Sequence, residues 1–186
     1  RCDLLEIPGL VFHPGAHVGS GEDVGLSRIA SSLDWVIERS EGSRTKLLLE
    51  TTAGQGTTLG HRFEQLAAII ERTKAKSRLA VCLDTCHVLA AGYDMRTEEG
   101  YRAVMAEFDR LVGIDRLLCF HVNDSKKDLG CRVDRHEHIG EGFVGTSAFG
   151  HLMRDPRFSE VPKILETPKE DEMDRKNLAL LRRLAR

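Results

Sequence analysis

No two cysteines in this sequence are spaced as C-x-x-C, no apolar run approaches a membrane span, and basic residues are not in excess. Each absence excludes something. The five cysteines, Cys2, Cys82, Cys86, Cys119 and Cys131, are odd in number and lack paired spacing. They read as reduced, mostly buried thiols in a reducing compartment, not as a disulfide framework or a thiolate zinc site. The longest apolar stretches, around Leu47–Leu49 and Leu66–Ile70, fall far short of the roughly 20 residues that cross a bilayer. A net charge of −2 argues against nucleic-acid binding through chain charge alone, so bound cations would have to supply the missing charge. The first residues, Arg1 to Glu6, mix charged and apolar side chains and show no signal-peptide pattern. With no initiator Met, the sequence is expected to begin inside a longer protein. What remains is an ordinary globular composition, 41% hydrophobic and 30% charged over 186 residues, enough for one domain with a core.

Along the chain, apolar runs of strand length alternate with helical patterns. Strands are expected at Gly9–His13, Lys46–Glu50, Leu79–Asp84, Leu117–His121 and Val161–Glu166. Helices are expected at Glu22–Arg39, Phe63–Thr73, Glu98–Val112, Ser147–Met153 and Asp171–Leu184. The clearest is Glu22–Arg39, where Leu26, Ile29, Ala30, Leu33, Val36 and Ile37 recur at three- and four-residue spacing. Continuously apolar strands suit a parallel sheet covered on both faces, and the alternation predicts an α/β fold. Five βα units fall short of the eight of a TIM-type (β/α)8 barrel, which needs about 250 residues. The expectation is either an open doubly wound sheet or the C-terminal five units of such a barrel, strands four to eight, and the missing Met favours the barrel.

All five expected strands end in a residue able to bind metal: His13, Glu50, Asp84, His121 and Glu166. In parallel α/β folds those ends converge on the face where active sites sit. Any one of them alone reads more simply, as a helix-capping carboxylate or a hydrogen-bonded core histidine; five in five do not. His87 lies one helical turn past Asp84. Asp134 and His136 are two apart and face one side if that segment is extended. Nitrogen and oxygen ligands without cysteine suit zinc or manganese. Eight such residues exceed one tetrahedral shell and predict a multinuclear site of the kind that hydrolyses phosphate esters.

The stretches HPGAH (13–17), LLLETTAGQGTTLGHRFEQLAAII (47–70), VCLDTCHVLAAGYDMR (81–96), FHVNDSKKDLGCRVDRHEHIGEG (120–142) and ILETP (164–168) resemble endonuclease IV, the zinc-dependent apurinic/apyrimidinic endonuclease family. The resemblance runs nearly the whole chain, in order. It implies a (β/α)8 barrel with three zinc ions. His13 and Glu50 would serve the first ion, with Glu50 bridging to a second completed by Asp84, His121 and Glu166. His87, Asp134 and His136 would hold the third. The family's first ion takes a further histidine from its third strand, and none precedes His13 here. The implied reaction is hydrolysis of the phosphodiester 5′ to an abasic site in double-stranded DNA, with trimming of blocked 3′ ends beside it. Glu50 and Glu166 would be its catalytic carboxylates. The implied protein is a monomer when intact, cytoplasmic and DNA-associated in a bacterium, or nuclear or mitochondrial in a eukaryote.

Around these residues, Arg135 is expected at the substrate phosphate, and Asn123, Ser125 and Lys126 in the same pocket. Gly54-Gln55-Gly56 lacks nucleotide-binding spacing and is expected to be a tight turn whose amides, with Gln55, face DNA. His17, His61, His138 and His151 are not expected to be ligands, with His61 and His151 on the surface. Trp35 is expected to pack. Two other readings compete. A metal-dependent sugar isomerase or epimerase of the related barrel class would typically need one or two ions, and the Asp134–His136 pair argues against it. The other is a non-catalytic fragment that binds zinc or DNA.

Overall fold

The computed structural model describes all 186 residues. β1 (Gly9–Phe12) and β2 (Gly15–Ala16) lead into α1 (Glu22–Arg39); β3 (Lys46–Glu50), β4 (Thr58–Leu59) and α2 (Phe63–Arg72) follow. Next come β5 (Leu79–Asp84), α3 (Thr85–Ala91), α4 (Glu98–Leu111), β6 (Leu117–His121), β7 (Asp124–Ser125), β8 (His136–Glu137) and α5 (Gly145–Arg154). β9 (Lys163–Ile164) and α6 (Met173–Leu184) come last. Five strands form one parallel sheet in the order β1-β3-β5-β6-β9. It is not closed: β1 and β9 are its edges. Two short antiparallel ribbons, β2 with β4 and β7 with β8, sit beyond the strand ends.

Two-residue alternation gives the sheet two different faces. Leu47 and Leu49 of β3, Leu79, Val81 and Leu83 of β5, and Leu117 and Phe120 of β6 join the helices in one cluster of 30 buried residues. The intervening positions, Leu48, Ala80, Cys82 and Cys119, form a smaller cluster with Val11 on the opposite face. Continuing that second alternation one step leads to Glu50, Asp84 and His121. All three therefore emerge on one side of the sheet, at its C-terminal edge, because the strands keep the register Glu50↔Cys82 and Asp84↔His121. A register shift at Val81/Cys82 adjusts β5 against β6 so that the last pair aligns.

The helices follow their local signals. In α1, Leu26, Ala30 and Leu33 turn inward, Glu22 and Asp23 occupy the first turn, and Arg39 occupies the last, matching the helix dipole. Arg72 of α2 holds Asp23 Oδ1 at 2.6 Å and Ser27 Oγ at 2.8 Å, tying the two helices. Thr97 caps α4 by accepting from Gly100 N at 3.1 Å.

Three expectations change. The segment after Asp84 is a helix, α3, seven residues long and almost wholly buried, stopped by Gly92 at φ 109°. Its apolar content carries no amphipathic period, because both sides are covered. The last strand narrows to Lys163–Ile164. Pro162 has no N–H to give, and Glu166 N turns away to donate to Asn123 Oδ1 at 2.8 Å. Trp35 does not pack inward: it is 56% exposed, and the Arg39 guanidinium lies over its ring at 3.8 Å.

Candidate metal centre

The eight residues singled out in the sequence come together at the C-terminal end of the sheet. Glu50 stands between two histidines: Oε1 is 2.8 Å from His121 Nδ1, and Oε2 is 3.5 Å from His13 Nε2. His121 Nδ1 is also 2.9 Å from Glu166 Oε2. Glu50, Asp84, His121 and Glu166 bring one ligand atom each within 4.8 Å of one another, and so do His13, His87 and Asp134. Asp84 does two jobs. Oδ1 caps α3 by accepting from His87 N at 2.8 Å, while Oδ2 lies 3.7 Å from His136 Nε2.

Backbone carbonyls set the tautomers of two histidines. A carbonyl oxygen can only accept, so His87 Nδ1 donates to Thr51 O at 2.8 Å and His136 Nδ1 donates to Glu166 O at 3.0 Å. Both Nε2 atoms therefore point at each other, 3.4 Å apart, and at Asp134 Oδ1, at 3.1 Å from His87 and 3.4 Å from His136. Two ring nitrogens and a carboxylate oxygen facing inward need a positive charge among them, either a proton or a metal ion. Ligand atoms about 2.0–2.1 Å from a tetrahedral zinc ion lie about 3.3 Å from each other, which matches this triangle.

Without a metal, the protons concentrate here. Burial disfavours charge on His87, but Asp84 and Asp134 outweigh it and lift the imidazole to about 10. For His121 burial is likewise overcome by hydrogen bonds with Glu166 and Glu50, again to about 10. Burial pushes Glu50 upward, yet His121 and His13 hold it down at about 2. The His121 hydrogen bond lowers Glu166, the His87 hydrogen bond lowers Asp134, and the Glu50 hydrogen bond raises His13.

The expected DNA contacts fare differently. Arg135 and Lys126 are exposed beside the centre. Gln55 is exposed too, but its Oε1 accepts from Asp134 N at 3.0 Å, so it also steadies a ligand. Its neighbours Gly54 and Gly56 have φ of 78° and 63°, as a tight turn requires. Asn123 is wholly buried and not a DNA contact. Its Nδ2 donates to Asp84 Oδ2 at 2.6 Å, and its Oδ1 accepts from Glu166 N at 2.8 Å, so it braces one carboxylate and the main chain of another. Thr85 Oγ1 in turn fixes the Asn123 main chain, donating to its O at 2.6 Å and accepting from its N at 2.8 Å.

The sequence reading missed Asp124. Wholly buried, it accepts from Ser125 N and Val144 N on Oδ1 and from Gly140 N on Oδ2, each at 2.8 Å. It therefore clamps both ends of the loop that carries Asp134 and His136. A Cβ on Gly142 would fall 2.6 Å from Asp124 Oδ1, so only glycine lets the loop close. The signal was a polar Asn-Asp pair directly after a buried strand. The two histidines expected on the surface, His61 and His151, are both half-buried, and His138, also not a ligand, is buried. His61 Nδ1 lies 3.1 Å from Thr58 O, and His138 sits against Asn177.

A family model described as xylose isomerase-like TIM barrel matches residues 1–184. The probable endonuclease 4 of Chloroflexus aurantiacus is 57% identical over 186 residues, covering 99% of this chain and 65% of that protein. The corresponding protein of Geobacter sulfurreducens is 60% identical over 188 residues, covering 100% and 64%. The chain belongs to the endonuclease IV family. Among solved structures, endonuclease IV from Thermus thermophilus superposes with a TM-score of 0.85 at 38% identity, over 98% of this chain and 63% of that one. A D-tagatose 3-epimerase-like protein matches at 0.75 and 21% identity, a likeness of fold alone. The family fold is the TIM barrel, and the five parallel strands here are part of that architecture. The chain spans about 65% of the length of the curated relatives it matches. No helix is long and apolar enough to cross a membrane.

Proposed function

We propose that this chain carries the metal centre of an endonuclease that hydrolyses the phosphodiester 5′ to an abasic site in double-stranded DNA and also trims blocked 3′ ends. The observation that carries the reading is the triangle of His87 Nε2, His136 Nε2 and Asp134 Oδ1, with edges of 3.1–3.4 Å and its ring tautomers fixed from behind. A sugar isomerase needs no such third cluster. In this reading the five strands are strands four to eight of the barrel, the 186 residues act as one domain, and the intact protein is a monomer working on DNA in the cytoplasm.

Three zinc ions, or manganese, are the proposed cofactors. His13 and Glu50 take the first, Glu50, Asp84, His121 and Glu166 the second, and His87, Asp134 and His136 the third. When bound, such ions supply Lewis acidity and positive charge at the phosphodiester. The chain's own residues do the rest. Glu50 turns one oxygen towards His121 and the other towards His13, so it would serve both of the first two ions and stand beside the attacking water. Glu166, 2.9 Å from the same imidazole of His121, orients that water and helps take up its proton. The water oxygen bonds to phosphorus as the bond to the 3′ oxygen breaks, and the proton taken from the water passes by way of solvent to the leaving oxygen, giving a 3′-hydroxyl and a 5′-deoxyribose phosphate. Arg135 and Lys126, exposed at the rim, meet the phosphate backbone, and the Gln55 turn fixes the loop they share.

Replacing Glu50 with Gln in the full-length protein keeps the shape and removes the charge. Cleavage of a duplex with one abasic site is expected to fall by about 100-fold or more. A rate near wild type would refute the role of Glu50. Turnover of a ketose without cleavage of abasic DNA would favour the isomerase.

A further inference from the structure

Cys82 and Cys119 lie outside the eight-residue centre and have no part in the proposed reaction. They are register partners on β5 and β6, so adjacent parallel strands place their side chains side by side on the inner face. Both are buried and free. Their sulfur atoms and one ring nitrogen of His121 all lie within 4.8 Å of one another. A three-coordinate ion about 2.3 Å from each sulfur would separate its ligand atoms by about 4 Å, within that spread. The surroundings are apolar, with Leu48, Ala80 and Val11 on the same face. Cys119 Sγ makes a weak contact to Phe120 O at 3.7 Å.

We infer that Cys82, Cys119 and His121 form a binding site for a soft, thiophilic d10 cation, of the copper(I) or cadmium type. Polarisable sulfur selects such ions over the harder ones that carboxylates hold, so the site is chemically distinct from its neighbour. Binding replaces the two thiol protons, which leave to solvent. The spacing escapes any search for C-x-x-C because strand pairing, not sequence proximity, joins the two sulfurs. His121 also stands between Glu50 and Glu166. Resting on the metal reading above, it follows that a soft ion competes with the second hard-ligand set for one imidazole.

Cadmium chloride titrated into the reduced protein tests this. A sulfur-to-cadmium charge-transfer band in the ultraviolet should rise and saturate. It should be lost in Cys82→Ser and in Cys119→Ser but kept in Cys86→Ser, the third buried thiol. As a check independent of any variant, the cadmium-113 resonance of the wild-type protein should shift downfield as sulfur ligation demands. The proposal is overturned if no band appears, if the band survives in both Cys82→Ser and Cys119→Ser, if it disappears only with Cys86, or if the resonance lies where nitrogen and oxygen ligands alone put it. Failure of the zinc reading is distinguishable: zinc binding would then ignore Glu50→Gln and Glu166→Gln, while the sulfur band, which uses neither carboxylate, still reports on this site.

Discussion

Asn123 shows how one buried amide sets two ligands. Its Nδ2 donates to Asp84 Oδ2 and its Oδ1 accepts from Glu166 N, so it fixes the carboxylate of the first and the main chain from which the second projects. Partners of this kind, behind metal ligands, typically govern affinity by about 10- to 100-fold. Asn123→Ala should weaken zinc binding by that range in a competition titration with a chromogenic chelator, while His136→Ala affects a different ion. Proton traffic gives a second residue-scale prediction. His87 and His121 stand near 10 in the metal-free protein, so at neutral pH both carry protons that zinc must displace. Calorimetry at pH 7.5 in buffers of unlike ionisation enthalpy should show proton release on zinc binding, and none if these rings were neutral. The same shifts have a sign for stability. Raised histidines stabilise the metal-free fold fully below their unfolded value of 6.5, and this contribution fades as pH climbs through about 10. Denaturant midpoints of chelated protein should therefore fall between pH 6.5 and 10 by more than those of the zinc-loaded protein.

At the scale of elements, the loop between β7 and α5 depends on Asp124. Its carboxylate satisfies the amides of Ser125, Gly140 and Val144 in a site with no water-facing surface. Asp124→Ala would orphan those donors, each at a cost of about 1–3 kcal/mol. Urea unfolding should register a loss of about 3 kcal/mol or more, and the variant should lose the ion held by Asp134 and His136 before the others. An unchanged midpoint would mean the loop is held by something else. The elements also explain what could be read in advance. The boundaries of α1, β3, β5 and β6 agree with the sequence pattern because each has either a clean helical period or an unbroken apolar run. α3 was missed because burial on all sides erases its period, and β9 was overdrawn because Pro162 holds back its start and the Asn123–Glu166 bond, distant in sequence, draws its far end away. The strand-end residues were legible since a carboxylate or histidine closing an apolar run stands out. Asn123 and Asp124 were visible as residues but not as braces, because their partners, Asp84, Glu166 and Val144, are distant in sequence.

On the scale of the whole molecule, the centre gathers side chains from the ends of β3, β5 and β6, from just past β1 and β9, from α3, and from β8 with the loop leading into it. Only the sheet and a few buried braces hold these pieces in place. Ions that bind the folded arrangement and not the unfolded chain stabilise it by mass action. Chelation should therefore lower the melting temperature, and added zinc should restore it. The most direct test of the central claim, that His87, Asp134 and His136 enclose a metal ion within a multinuclear centre, is the zinc content per chain of purified, zinc-equilibrated protein, wild type against His136→Ala. The account predicts more than one ion in the wild type and about one ion fewer in the variant, with the remainder retained. A wild-type protein that binds no zinc, or a variant that keeps the full complement, would contradict it.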